Sequence, residues 1–109
     1  MLRIYSVMLE ALVQLRPVMA QIKLCDANLE DQMRRAATSV VLNIAEGSGS
    51  RGKNRGARYA NALGSARETV ACLEVASALG YVARVDEQLE AVRPGLREVI
   101  GTLVKVAVA

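Results

Sequence analysis

The sequence predicts an all-α protein, a single domain over residues 1–109 built as an antiparallel, up-down-up-down four-helix bundle. Three observations predict it. Apolar residues recur at steps of three and four in four separate stretches, the repeat of a helix with one buried face. Short connections containing Asp, Asn or Gly separate those stretches. Alternating apolar and polar residues are scarce and there are only two prolines, which argues against a β fold.

The first helix is predicted over about residues 2–24. Tyr5, Met8, Leu12, Leu15, Met19 and Ile22 form a seam at steps of three, four, three, four and three. Pro17 falls inside it, but the seam keeps its phase across the ring, so a kink is expected in place of a break. Cys25-Asp26-Ala27-Asn28 is read as the first turn. Asp26 or Asn28 caps the second helix, and Glu30 and Asp31 suit its positive end.

The second helix runs to about Ser48 and organises the rest. Leu29, Met33, Ala36, Ala37, Val40 and Ile44 lie along one side. Gln32, Arg35, Ser39, Asn43 and Glu46 lie along another. Gly47, Gly49 and Gly52, with two serines between, are read as its end and a flexible connection.

The third helix, predicted over about residues 54–79, should be the longest. Tyr59, Leu63, Ala66, Val70 and Leu73, with Ala62 and Ala76, form its apolar seam. Arg58, Asn61, Ser65, Glu68 and Cys72 form a second stripe. Gly64 and Ser65 are small enough for a neighbouring backbone to come close. Gly80 is placed to take a left-handed conformation, with Tyr81 and Val82 folding back over the helix end. Asp86 then caps a fourth helix that runs to about Val106. Its seam is Val85, Leu89, Val92, Leu96, Val99, Leu103 and Val106, with Pro94 and Gly95 away from it and bending the helix.

Two sequential antiparallel helices can turn their polar stripes towards each other. Arg35 is then in reach of Glu68, and Asn43 of Ser65 or Asn61. The set Arg35, Ser39, Asn43, Glu46, Asn61, Ser65 and Glu68 is therefore read as a structural network that fixes register, within one subunit or between two. A paired-carboxylate role for Glu46 and Glu68 fits poorly, because each has an arginine candidate and the chain has no histidine. The pattern Gly47 to Lys53 has the spacing of a phosphate-binding loop. However, Asn54 stands where Ser or Thr would hold magnesium, and the segment follows a helix instead of a strand. No catalytic residue, metal site or cofactor is expected, and the chain is read as a non-enzyme.

The net charge is +3, from 14 basic and 11 acidic residues, which alone says little about partners. The distribution says more: residues 51–67 hold five basic residues and no acidic one. Arg51, Lys53, Arg55 and Arg58, with Arg34 on the preceding helix, are the candidate contacts for an RNA or DNA backbone. Phosphate contact requires only repeated Lys and Arg. With no Phe or Trp to stack bases, readout would be indifferent to sequence. A core of small aliphatic residues also points to apolar surface buried between subunits. Cys25 and Cys72 form no CxxC pair and are read as two buried free thiols in a reducing cytoplasm. The opening residues, with Glu10 inside the apolar part, read as an amphipathic helix and not a leader. No stretch reaches the length of a membrane span.

The combination Gln32-Met-Arg-Arg-Ala-Ala, Ser39-Val40 and Asn43-Ile-Ala-Glu-Gly47, followed by Leu63-Gly-Ser65, Glu68, Leu73 and Leu79-Gly-Tyr81, resembles one family. That family is the four-helix-bundle proteins encoded in intervening sequences of bacterial 23S ribosomal RNA genes. The resemblance is sharpest over residues 31–82. It implies a cyclic homo-oligomer, with a pentamer favoured. It also implies relatedness to the accessory variability determinant of diversity-generating retroelements, a basic pentameric barrel that binds a reverse transcriptase and nucleic acid. Two expectations follow: backbone binding through the basic turn, or a scaffold that docks a partner such as a reverse transcriptase. One departure is that only Tyr59 stands where relatives often carry an aromatic pair.

Overall fold

The computed structural model describes residues 2–83 and 87–107. Within them are four helices and no strand: α1 Ile4–Cys25, α2 Ala27–Ser48, α3 Lys53–Ala78 and α4 Glu87–Val106. α1 packs on α2 and α4, and α3 packs on the same two. α3 is the longest at 26 residues, about 39 Å at 1.5 Å per residue. No helix among the described residues is long and apolar enough to cross a membrane.

The seams read from the sequence supply the core. Met8, Leu15 and Ile22 of α1, Met33, Val40 and Ile44 of α2, and Leu89, Val92, Val99 and Leu103 of α4 are enclosed. α3 contributes smaller groups, with Ala62, Ala66 and Ala76 fully buried beside Tyr59 and Leu73. Small side chains let the α3 backbone approach α2, and that pair makes the most extensive helix contact in the molecule. α1 and α4 continue through Pro17 and Pro94. Both rings lie on exposed positions, where water can meet the carbonyl left without a donor.

The first turn is shorter than expected. Asp26 alone separates α1 from α2. Its N–H donates to Ile22 O, closing α1, while its carboxylate accepts from Leu29 N at 2.9 Å, capping α2. The other carboxylate oxygen accepts from the Tyr81 hydroxyl at 3.2 Å. One side chain thus ties the start of α2 to the segment leaving α3. That segment takes the expected form. Gly80 has φ 77°, Gly80 N–H donates to Ser77 O, and Tyr81 N–H donates to Ala76 O, the two bonds of a Schellman motif. Asp86 and Val85 lie outside the described residues.

Three expectations are corrected. Gly47 is not part of a flexible connection: it is buried inside α2, and a Cβ there would stand 2.5 Å from the Tyr59 ring. Gly64 is not at a close approach; it is exposed, with nothing within 4 Å of an added Cβ. Ser65, the other small residue of that pair, does meet α2, with its Oγ 2.9 Å from Ser39 Oγ. Cys25 is exposed at the end of α1, and only Cys72 is buried. The heptad reading missed this because residue 25 falls where α1 stops and no neighbour covers it.

Candidate nucleic-acid interface

The cationic turn sits on a fixed base. Tyr59, 5% exposed, lays its ring over Gly47, with its hydroxyl 3.5 Å from Ser48 Oγ. Ser50 Oγ donates to Glu46 O at 2.7 Å, and Arg55 Nε donates to Ser50 O at 3.0 Å. Gly52, with φ 58°, turns the chain into α3. α3 begins with no side-chain cap and no acid in its first turn. Its free N–H groups and positive dipole end therefore stand among Lys53 and Arg55, a concentration of positive character that attracts anions.

The five candidate cations fall into three groups. Arg51, Lys53 and Arg55 are exposed at the turn. Arg58, one turn into α3, lines a shallow groove on the α2–α3 face with Arg34, Arg35, Thr38, Ser39, Leu42, Asn43 and Glu46. Arg34 stands at the far end, about 22 Å along α2 from the turn at 1.5 Å per residue. It is held by Glu30 at 3.2 Å and Asp31 at 2.7 Å. Among the described residues, Arg51, Lys53 and Arg58 have no carboxylate partner.

The polar stripes meet at their centre. Ser65 Oγ donates to Ser39 Oγ at 2.9 Å, and Asn43 Nδ2 donates to Ser39 O and Oγ at 2.9 and 3.0 Å. Thr69, fully buried and absent from the sequence reading, donates to Ser65 O at 2.9 Å. The ends do not join. Arg35 pairs along its own helix with Asp31 at 3.6 Å and not with Glu68. Asn61, Glu68 and Glu46 are exposed. A long side chain on an outer helix face gains little from crossing to a neighbour when an acid sits one turn away.

A second groove, of about 820 Å³, lies between α3 and α4. Val70, Leu73, Leu96 and Ile100 line it, with Glu74 on α3 and Arg93 and Arg97 on α4. Cys72, on the same helix, is buried, which pushes its thiol pKa up, and the neighbouring Glu68 charge adds to that.

With the helices and both grooves placed, the chain can be compared with known proteins. The family model described as 23S rRNA-intervening sequence protein matches residues 2–105. The chain belongs to that family. Among curated proteins, none matches it. The crystal structure of a protein with unknown function, from the S23 ribosomal protein family of Bacteroides thetaiotaomicron, superposes with a TM-score of 0.83. The two are 22% identical, and the match covers 95% of this chain and 97% of that one. That likeness concerns the fold.

In this intervening-sequence protein the residues missed by sequence reading are informative. Thr38 and Leu42 line the α2–α3 groove, each one residue before a member of the polar stripe and on the same flank of it, because a groove between helices is wider than one stripe. Leu42 is 59% exposed, an apolar group on a polar surface. The α3–α4 groove had no sequence signal, since its floor residues belong to regular apolar seams.

Proposed function

We propose that this intervening-sequence protein is a non-enzymatic helical protein of the cytoplasm that grips the backbone of RNA or DNA. Arg51, Lys53, Arg55 and Arg58 make the contacts, with Arg34 an outlying one. The observation that carries the reading is that Arg51 and Lys53 at the turn, and Arg58 one turn into α3, are exposed and lack a carboxylate partner among the described residues, beside an uncapped helix start. The helices run up-down-up-down, antiparallel to their neighbours, in this reading. Support comes from the pairing of Arg3 with Glu98, of Ser39 with Ser65 and of Ser48 with Tyr59. Subunits close into a cyclic homo-oligomer, a pentamer by family resemblance, so that a modest cationic turn is repeated around a ring.

Fluorescence anisotropy with labelled RNA across a salt series tests this. Binding should weaken steeply with salt, and replacing Arg51, Lys53, Arg55 and Arg58 by Ala should flatten the slope. No binding at low salt, or affinity indifferent to the four replacements, refutes it. The α3–α4 groove favours a second reading, a scaffold that docks a partner such as a reverse transcriptase with no nucleic acid involved. Capture of a purified reverse transcriptase that survives nuclease and high salt, and is lost in Arg97→Glu at an exposed position of the groove, would favour that reading.

A further inference from the structure

The middle of the α2–α3 groove holds hydrogen-bonding capacity that the fold does not consume. Ser39 Oγ accepts from both Ser65 Oγ and Asn43 Nδ2, which leaves its own O–H hydrogen without an acceptor among the described residues. Asn43 spends Nδ2 on Ser39 and keeps Oδ1 as an acceptor without a donor. Glu46, one turn further along α2, lines the same groove with no cation paired to its carboxylate among the described residues, although Arg58 lines it too. At the other end stands Arg35, with a single ion pair of 3.6 Å. The groove thus presents, along α2, a cation, a hydroxyl donor, an amide acceptor and a carboxylate, with a further cation contributed by α3.

That order suits neither a bare anion nor a purely cationic ligand. A phosphate satisfies Arg35, Ser39 O–H and Arg58 but leaves Asn43 Oδ1 and Glu46 facing acceptor oxygens. A phosphate flanked by two hydroxyls satisfies all of them, one hydroxyl donating to Asn43 Oδ1 and the other to the Glu46 carboxylate. Ribose carries such a hydroxyl at the 2′ position and deoxyribose does not. We propose that this groove is a ribose–phosphate subsite, with Asn43 and Glu46 each accepting from the 2′-hydroxyl of one of two successive nucleotides while Arg35, Ser39 and Arg58 hold the flanking phosphates, so that the protein selects RNA over DNA. The inference rests on the backbone-binding reading above and adds the sugar to it. Selection is by sugar and not by base, in keeping with the absence of Phe and Trp for stacking.

The test is anisotropy at low salt with labelled oligouridine and oligodeoxyuridine of equal length, which share a base and differ at the 2′ position. The wild-type protein should bind the ribose form on the order of five- to tenfold more tightly, the discrimination that one or two hydrogen bonds supply. Asn43→Ala should bring the ratio towards one. Glu46→Ala, at an exposed helical position, should do the same while tightening the deoxyribose form, because a carboxylate that repels phosphate is gone. That gain is one a loss of folding cannot produce. Equal binding of the two oligonucleotides by the wild type, or a ratio preserved in both variants, overturns the sugar-reading groove and leaves backbone binding standing. Absence of binding to either overturns both.

Discussion

The two flanks of α3 are built differently. Against α2 it presents Ser65, hydrogen-bonded to Ser39, and the Tyr59 ring seated on Gly47, with Ala62 and Ala66 buried along the same helix, and the contact is the most extensive in the molecule. Against α4 it presents Leu73 and Val70, and the contact is the sparsest among neighbouring helices, leaving an open groove. Small residues bring backbones together and exclude solvent, whereas larger ones hold them apart. The close pair holds the cationic turn and a polar groove in a fixed place. The looser pair leaves Val70 and Ile100 half-buried beside the groove.

Overpacking should hurt most on the α2 side. Gly47→Val should destabilise by about 3 kcal/mol, the upper range for forcing atoms into a filled site. Tyr59→Leu in the same chain should recover part of that loss in a thermal-melting double-mutant cycle, because a flexible chain yields where the ring cannot. On the α4 side Leu96→Ala should cost about 2 kcal/mol in urea denaturation, the low end for a buried leucine, since its cavity opens into an existing groove. A loss of 4 kcal/mol or more would mean the α3–α4 contact is as tight as the other. A smaller effect lies at the polar centre of the α2–α3 contact. Ser39→Ala and Ser65→Ala should couple by about 1 kcal/mol, a neutral hydrogen bond's worth.

The smallest effect is at the surface, between Arg3 Nε and Glu98 Oε2 at 2.7 Å. The hydrogen bond from Arg3 holds the Glu98 carboxyl pKa below its usual value, opposed by desolvation and helped by a lesser Coulomb contribution from the same guanidinium. A carboxyl with a lowered folded pKa stabilises above the unfolded value, about 4.3, and loses that contribution as pH falls through the folded one. The melting-temperature gap between wild type and Glu98→Gln should therefore close on acidification below pH 4. A gap that stays constant with pH would rule the pair out as a contributor.

The four helices and their seams were legible because each follows one repeat long enough to be unambiguous. The Gly80 cap and the Asp26 cap were legible because their residue types leave few alternatives. Gly47 was misread because glycine in sequence signals an end, while here it makes room for a ring twelve residues later. Gly64 was misread because small size does not say which face a residue occupies. The site was legible in part. The exposed turn follows from its charge run, and facing stripes bring Ser65 to α2, but its partner there is Ser39 and not the expected Asn43, which bonds back to Ser39 along its own helix. Arg35 was assigned to Glu68 because stripe positions were matched without asking whether a nearer acid, Asp31, would hold it. The α3–α4 groove depends on how far apart two helices settle, which no single stretch encodes.

The most direct test of this contrast is hydrogen exchange of the protein with and without oligouridine at low salt. The account predicts added protection in residues 34–58, covering the α2 groove, the turn and the first turns of α3, with α4 unchanged. Protection confined to the α3–α4 groove, or no change in any helix, would contradict it.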